Sequence, residues 1–175
     1  MDEREFGRLY ETYADKIYSF IYYRTSHRET AEDLTSRTFI KAIEKINSFD
    51  QNKGQFSTWL YTIARNTVID FYRTEKSTGD IFEMLDLAGT DNIERSVGSK
   101  LEIEKVEKYL RTLEPSQREI IVMRVWDDLS YREIAAVLGK TEGACKVMFS
   151  RTIAKLNSSL ALLILLELIS ANLKK

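Results

Sequence analysis

The scarcity of glycine and proline is the feature that most constrains the fold of this chain. Its 175 residues include only 7 Gly and 1 Pro. Because β-rich folds use these two residues in their turns, the sequence predicts an all-α chain. Hydrophobic residues make up 43% and charged residues 30%, which is sufficient for packed cores beneath a polar surface.

The counts of cysteine and histidine exclude several kinds of functional site. One Cys cannot form an internal disulfide, and one Cys with one His cannot supply the usual ligands of a zinc site. The sequence has no Gly-rich phosphate loop, and a single His could serve few nucleophile–base pairs. We therefore expect no catalytic residues, no metal, no cofactor and no small-molecule substrate. The charged residues 1–5 are unlike a signal peptide and favour a cytoplasmic protein.

Apolar residues at helical spacing predict three helices in the first part of the chain. The first begins near Phe6, and Ser26 with Glu29 forms a possible capping box for the second. The third runs from Phe56 to about Arg73. Together they predict a helical domain over residues 1–76.

The composition changes after this domain. Residues 77–100 are acidic and interrupted by glycines, which is typical of a flexible linker. Helical periodicity resumes at Ile103, so residues 101–157 are predicted to form a second small helical domain. Residues 158–175 form an apolar tail that is too short to span a membrane, for which about 20 apolar residues are needed. We expect this tail to dock on protein, against the second domain or, as the alternative, against a partner protein; the membrane surface is the least favoured site.

The second domain contains the pattern of a helix-turn-helix. Ser130 and Glu133 form a capping box, Gly139 is placed for a left-handed C-cap, and Thr141 can cap the next helix. One face of that helix carries the apolar residue Cys145, interpreted as a packing residue. Its other face is partly basic and includes Lys146, Val147, Ser150, Arg151 and Ala154. A helix of this kind fits the major groove of DNA, although a plain helical hairpin with solvated cations has the same pattern.

The predicted third helix mixes aromatic, basic and amide side chains. Aromatic rings can stack on unpaired bases, and Arg65 or Asn66 could bond to a base edge. The simpler interpretation is that Phe56, Trp59 and Phe71 are core residues and that the arginines are solvated.

A family resemblance is carried by four stretches, Glu32–Ala42, Phe56–Arg73, Leu113–Ala135 and Glu142–Gly143 with Lys146. In these stretches the chain resembles bacterial RNA polymerase sigma factors of the extracytoplasmic-function group. The stretch from Glu32 to Ala42 resembles the helix that binds core polymerase, and Phe56 to Arg73 resembles the segment that recognises and melts the −10 element. Two further stretches, Leu113 to Ala135 and Glu142–Gly143 with Lys146, resemble the domain that binds the −35 element. The four stretches occur in the order that the family requires.

The resemblance implies a dissociable specificity subunit of RNA polymerase whose partners are core RNA polymerase and promoter DNA, with an anti-sigma factor as a further candidate. It implies that the acidic linker threads towards the active-site channel of the polymerase. The implied polymerase-binding residues are Asp33, Leu34, Phe39 and Lys41. The implied −10 residues are Phe49, Trp59, Ile63, Arg65, Asn66 and Arg73. The implied −35 residues are Tyr131, Arg132, Lys146, Val147, Ser150 and Arg151.

The chain departs from the family pattern at two places. Ser36 and Arg37 stand where the family usually has a Gln-Glu pair, so the charge on the polymerase side is reversed. Residues 144–148 read Ala-Cys-Lys-Val-Met where Thr-Val-Lys-Ser-Arg is usual, so one basic residue is lost. We expect the contacts at both places to differ from the family pattern.

Two other classes of function compete with this prediction. A stand-alone helix-turn-helix regulator would bind duplex DNA without polymerase, but the formal net charge of −1 argues against it. A protein that binds duplex DNA by itself draws much of its affinity from neutralising phosphates with basic residues. A polymerase subunit needs fewer such residues, because the polymerase also holds the DNA. A helical adaptor without a DNA role is the third interpretation, and an enzyme is the least favoured.

Overall fold

The computed structural model describes residues 3–50, 52, 54–78 and 109–155. The chain divides into two compact units, Met1–Asp91 and Asn92–Lys175. Every regular element within the described residues is helical, which confirms the all-α prediction. Most of the expected acidic linker and all of the apolar tail lie outside the described residues, so the expectations for those segments stay predictions.

Within the described residues, the N-terminal unit has three α-helices that pack against one another. They are α1 (Glu3–Thr25), α2 (Arg28–Glu44) and α3 (Phe56–Thr78), with a short 3-10 turn at Ile46–Ser48. At the centre, the ring of Phe20 meets the ring of Tyr61 edge-on at 5.3 Å between centroids. Other fully buried side chains of this unit include Ile17, Ile21, Leu34 and Leu60.

The connection between α1 and α2 differs from the prediction. His27, not Ser26, caps α2, and its Nδ1 accepts a hydrogen bond from the backbone N–H of Thr30 at 3.2 Å. Ser26 has a φ of 54° and its N–H donates to the Tyr22 carbonyl, so it ends α1 instead. The predicted capping box of Ser26 and Glu29 is therefore wrong. With only two residues between the helices, the serine is used to reverse the chain.

Helix α3 is longer than the apolar periodicity predicts. It continues past Arg73 to Thr78. Glu75 and Lys76 are good helix formers without being apolar, and the Thr74 hydroxyl bonds to the carbonyl of Asp70 within the helix at 3.0 Å. The helix therefore extends beyond the face that it buries.

In the C-terminal unit, the described residues form α4 (Pro115–Val125), α5 (Tyr131–Leu138) and α6 (Glu142–Ala154), and residues 109–112 before them are also helical. The three helices pack pairwise. Cys145 is fully buried, and burial raises the pKa of its thiol above the ordinary value. It is thus a protonated packing residue, as predicted. The core also includes Ile120, Ile121, Met123 and Ile134.

Local signals place the helix-turn-helix as predicted. The Ser130 N–H donates to the Glu133 carboxylate at 2.8 Å, and the Glu133 N–H donates to the Ser130 hydroxyl at 3.3 Å. Gly139 ends α5 with a φ of 64°. The Thr141 hydroxyl accepts from the N–H of Ala144 at 3.2 Å and so caps α6. These contacts fix the start of α6 relative to α5.

Two glycines of this motif should respond oppositely to alanine. A Cβ at either Gly139 or Gly143 would meet no atom within 4 Å, so only the backbone decides the outcome. We expect Gly139→Ala to destabilise the C-terminal unit by about 1–2 kcal/mol because its φ is left-handed. Gly143→Ala should stabilise it by about 0.5–1 kcal/mol because Gly143 is helical.

The measurement is urea unfolding of each variant, followed by the fluorescence of Trp126 in a Trp59→Phe background. Because the chain has 2 Trp, the tryptophan signal in this background comes from the C-terminal unit alone. Shifts of the same sign for both alanine variants would contradict the assignment of Gly139 as the strained C-cap.

Candidate polymerase and promoter interfaces

The residues of α2 that were predicted to bind polymerase fall on two sides of the helix. Leu34 and Phe39 are 1% and 4% exposed, and the Phe39 ring contacts the ring of Tyr10 at 4.7 Å between centroids. Both side chains are part of the core of the N-terminal unit, so the direct polymerase contact of Leu34 and Phe39 stays a prediction that their burial does not support. Asp33 is exposed and Lys41 is half-buried, so both stay candidates.

The exposed side of α2 carries apolar residues that the prediction missed. Ile40 is 56% exposed and Ile43 is 52% exposed. Nearby on the helix, Arg37 Nη2 lies 2.8 Å from Asp33 Oδ2, and both of these side chains are half-exposed. We call Asp33, Arg37, Ile40 and Ile43 the α2 face. Exposed apolar side chains with charged residues around them are typical of protein interfaces, which have an apolar core and a polar rim.

A groove of about 490 Å³ lies between α2 and α3, next to Ile40. At this groove, Lys41 Nζ lies 3.7 Å from Asp70 Oδ2 and donates to the Thr67 hydroxyl at 3.3 Å. Lys41 thus joins the two helices while part of its side chain stays accessible. Phe71, also on α3, completes the apolar part of the lining.

An aromatic cluster lies where α3 begins. The ring centroids of Phe49, Phe56 and Trp59 are 5.3–5.5 Å from one another. All three side chains are half-buried, so ring surface stays open to solvent. The structure therefore brings the predicted Phe49 and Trp59 together, and adds Phe56. The sequence alone could not show that the loop folds Phe49 back on α3.

The remaining −10 candidates lie along α3. Trp59, Ile63 and Asn66 share one side of the helix by their spacing. Asn66 is exposed, whereas Ile63 is only 9% exposed and presents little surface. Arg65 is half-buried, and burial lowers the pKa of its guanidinium, which still leaves an arginine charged at neutral pH. The exposed Arg73 pairs with Asp70 at 3.1 Å.

The predicted −35 residues come together on α5 and α6. Arg132, Lys146, Ser150 and Arg151 are exposed, as is Val147 at 49%. A shallow apolar hollow of about 430 Å³ lies beside them, lined by Gln117, Gly143, Ala144, Val147, Met148 and Arg151. This face is therefore accessible along the length of α6.

Tyr131 connects the two helices of the motif. Its half-buried ring meets the ring of Phe149 at 5.8 Å between centroids. Arg124 and Lys146 both lie over the same ring, at 5.3 and 5.9 Å from its centroid. Tyr131 thus orders cations on the face that was predicted to meet DNA.

Glu142 is a charged residue of this face that the prediction missed. Its Oε1 lies 2.6 Å from Lys146 Nζ. The hydrogen bond from Lys146, and then its charge, lower the pKa of the Glu142 carboxyl, and the charge of Arg132 adds to this effect. The i,i+4 spacing of Glu and Lys was the sequence signal that could have revealed the pair.

The described part of the chain has neither a metal-binding cluster nor a membrane-spanning helix. There, no group of three or more His, Cys, Asp or Glu residues is arranged to hold a metal ion. Within the same residues, no helix has both the length and the apolar character needed to cross a membrane.

Comparison with known proteins identifies the family. The family model of Sigma-70 region 2 matches residues 9–78, and that of Sigma-70 region 4 matches residues 103–156. The chain belongs to the RNA polymerase sigma factors. As a sigma factor it acts in promoter recognition and transcription initiation through RNA polymerase, and is a specificity subunit rather than an enzyme. The stand-alone regulator and the adaptor are therefore set aside.

Similar sigma factors include members of the predicted extracytoplasmic-function (ECF) group. The ECF sigma factor BldN of Streptomyces coelicolor is 41% identical over 157 residues, which cover 86% of this chain and 58% of BldN. The chain thus spans less than two thirds of that relative. The ECF sigma factor SigW of Bacillus subtilis is 32% identical over 163 residues, covering 86% of each chain.

Two solved structures share the fold. The sigma factor RpoE from Bartonella quintana, in complex with the anti-sigma factor NepR, has a TM-score of 0.68 at 28% identity and covers 85% of this chain and 92% of its own. CnrH, in complex with the cytosolic domain of CnrY, has a TM-score of 0.66 at 25% identity, with coverages of 88% and 86%.

Proposed function

We propose that this sigma factor binds core RNA polymerase through the α2 face, contacts the −10 element through one side of α3, and contacts the −35 element through α6. The observation that carries the proposal is that each surface exposes functional side chains above its own packed core. Ile40, Asn66 and Lys146 are all exposed, and each lies in a stretch matched by a sigma factor region.

The polymerase contact is assigned to the exposed residues of α2. Ile40 and Ile43 would supply the apolar anchors, since anchors of this kind carry most of the energy of an interface. Asp33 and Arg37 would lie around them, and Lys41 would contribute from the edge of the groove. Leu34 and Phe39 would act indirectly, by holding α2 in place.

The −10 contact is assigned to Asn66 and the aromatic cluster. The open rings of Phe49 and Trp59 offer a stacking surface for an unpaired base. The Asn66 amide can both donate to and accept from a base edge. Arg65 and Arg73 lie on the same helix as Asn66, where they would attract the DNA backbone.

The −35 contact is assigned to α6 in the major groove. Lys146 and Arg151 would meet phosphates or guanine edges, and Val147 would pack on a thymine methyl. Tyr131, Arg132 and Ser150 would complete the contact. A helix-turn-helix positions its second helix in this way.

Two further parts of the proposal concern the surroundings of the protein. The similar sigma factor RpoE is held by an anti-sigma factor, and we extend that type of partner to this chain. The exposed apolar residues of the α2 face are suited to such a contact, which would compete with polymerase. Binding to polymerase would place the protein in the cytoplasm.

A run-off transcription assay tests the proposed function. Purified core polymerase would be combined with the protein and with DNA from upstream of its own gene. A discrete transcript that requires both proteins is expected. The proposed function is wrong if the protein does not bind the core enzyme and directs no transcript from a library of bacterial promoters.

Asn66→Ala should reduce discrimination at one position of the −10 element. Losing a base-edge hydrogen bond costs about 1–3 kcal/mol of discrimination at that base pair. The measurement is the rate of transcription from promoters that differ only in the −10 element. Arg73→Ala is the control, because loss of a backbone contact should lower all rates similarly. An equal loss on every −10 sequence for Asn66→Ala would show that Asn66 does not read a base.

A further inference from the structure

A carboxylate lies among the cations of the proposed −35 surface. Glu142 is the first residue of α6, and its Oε1 is 2.6 Å from Lys146 Nζ. Both side chains are about half-exposed. DNA repels a carboxylate, so a glutamate at this place works against the proposed contact unless it has a separate role.

Lys146 is held at two points in the free protein. Glu142 binds its ammonium group, and the ring of Tyr131 lies beneath it at 5.9 Å. The same ring has Arg124 at 5.3 Å, and Arg124 is itself tied to the Leu129 carbonyl at 3.1 Å. The position of Lys146 is therefore defined before any phosphate arrives.

We infer that Glu142 is a positioning residue that holds Lys146 over Tyr131 and is displaced when a DNA phosphate takes Lys146. By this exchange Glu142 sets the affinity and the salt dependence of −35 binding. The inference rests on the proposed function of α6. It explains how an exposed cation is kept ordered, and it implies that the chain limits its own affinity for duplex DNA.

Glu142 also stabilises α6, and the test must distinguish this structural effect from its effect on Lys146. An acidic residue in the first turn of a helix stabilises it through the helix dipole. Thr141 already caps α6, and the loss of Glu142 would weaken that helix only slightly. A purely structural role predicts weaker DNA binding on substitution, whereas displacement by phosphate predicts tighter binding.

The experiment uses holoenzyme formed from the full chain and core polymerase, bound to promoter duplex over a range of KCl concentrations. We expect Glu142→Gln to bind about two- to fivefold more tightly at low salt, which is the range for an exposed ion pair. Its plot of log affinity against log salt should be steeper by up to about 0.9, the slope of one phosphate contact, because no freed carboxylate then offsets the charge of Lys146. Lys146→Gln should bind more weakly, with a shallower slope.

The double variant decides whether Glu142 acts through Lys146. In a Lys146→Gln background, Glu142→Gln should leave affinity and slope unchanged. If the gain persists there, general repulsion is the cause and the inference is wrong. Glu29→Gln is the matched control, because it removes an exposed carboxylate from the first turn of α2 and should not alter the slope.

The remaining outcomes distinguish failure of the inference about Glu142 from failure of the −35 assignment. If Lys146→Gln weakens binding but Glu142→Gln changes neither affinity nor slope, the inference fails and the −35 assignment stands. If neither substitution has an effect, the −35 assignment itself fails. An effect of Glu142→Gln that is confined to one −35 base pair would make Glu142 a reader of that base, which also overturns the inference.

Discussion

Phe39→Ala is expected to lower the free energy of unfolding of the N-terminal unit by about 3–5 kcal/mol, the cost of removing a buried aromatic ring. The Phe39 ring is 4% exposed and lies between Tyr10 and Phe6, with centroid distances of 4.7 and 6.5 Å. Urea unfolding followed by Trp59 fluorescence, in a Trp126→Phe background, measures the change.

The neighbouring residue gives the control. Ile40 is 56% exposed, so Ile40→Ala should change the same free energy by less than about 0.5 kcal/mol. If Phe39→Ala proves as stable as Ile40→Ala and loses polymerase binding, Phe39 faces the partner and the arrangement of α2 described above is wrong.

Ile40→Asp is expected to weaken binding to core RNA polymerase by about 2–4 kcal/mol, the range for an apolar anchor at the centre of an interface. An aspartate at this place would bring an unpaired charge into the contact. Because Ile40 is exposed in the free protein, the fold should be unaffected. The dissociation constant of the core enzyme complex, measured by fluorescence anisotropy of labelled protein, reports the loss.

Val147→Asp is the matched variant in the C-terminal unit. Val147 is 49% exposed, which is close to the exposure of Ile40, but it lies on the proposed −35 surface. It should keep its affinity for core polymerase and lose activity at promoters. If Ile40→Asp and Val147→Asp lose polymerase affinity equally, the proposal that the α2 face binds core polymerase is wrong.

The sequence predicts the helix-turn-helix well because its signals are local. The capping pair Ser130 and Glu133, the left-handed Gly139 and the cap Thr141 each act within four residues of the chain. Their backbone geometry follows from residue type alone. The basic side of α6 follows in turn, since Cys145 must face the core.

The orientation of α2 could not be predicted in the same way. Leu34, Phe39, Ile40 and Ile43 are all apolar, yet only the first two are buried. Helical periodicity shows which residues share a side, but not which of two apolar sides meets α1 and α3. The family resemblance implies polymerase contacts for Leu34 and Phe39, and only the packed unit shows that both are buried.

The other features that the sequence did not predict are contacts between residues far apart in the chain. The spacing of Glu142 and Lys146 indicates a pair, whereas the approach of Arg124 to the Tyr131 ring requires the packed helices. Likewise, nothing in the polar loop before α3 indicates that Phe49 folds onto Trp59. Such contacts depend on the tertiary fold and not on local sequence.

The cap of α2 makes the imidazole of His27 a reporter of the start of this helix. His27 is the only histidine of the chain, and its Nδ1 accepts a hydrogen bond from the backbone N–H of Thr30. A neutral imidazole that accepts at Nδ1 carries its hydrogen on Nε2, so the contact selects one tautomer. In an NMR spectrum the imidazole nitrogens of this chain belong to a single residue, and their tautomer therefore records whether the start of α2 is intact. No isotope labelling of selected residues is needed to assign that signal, whether the protein is free or held by a partner.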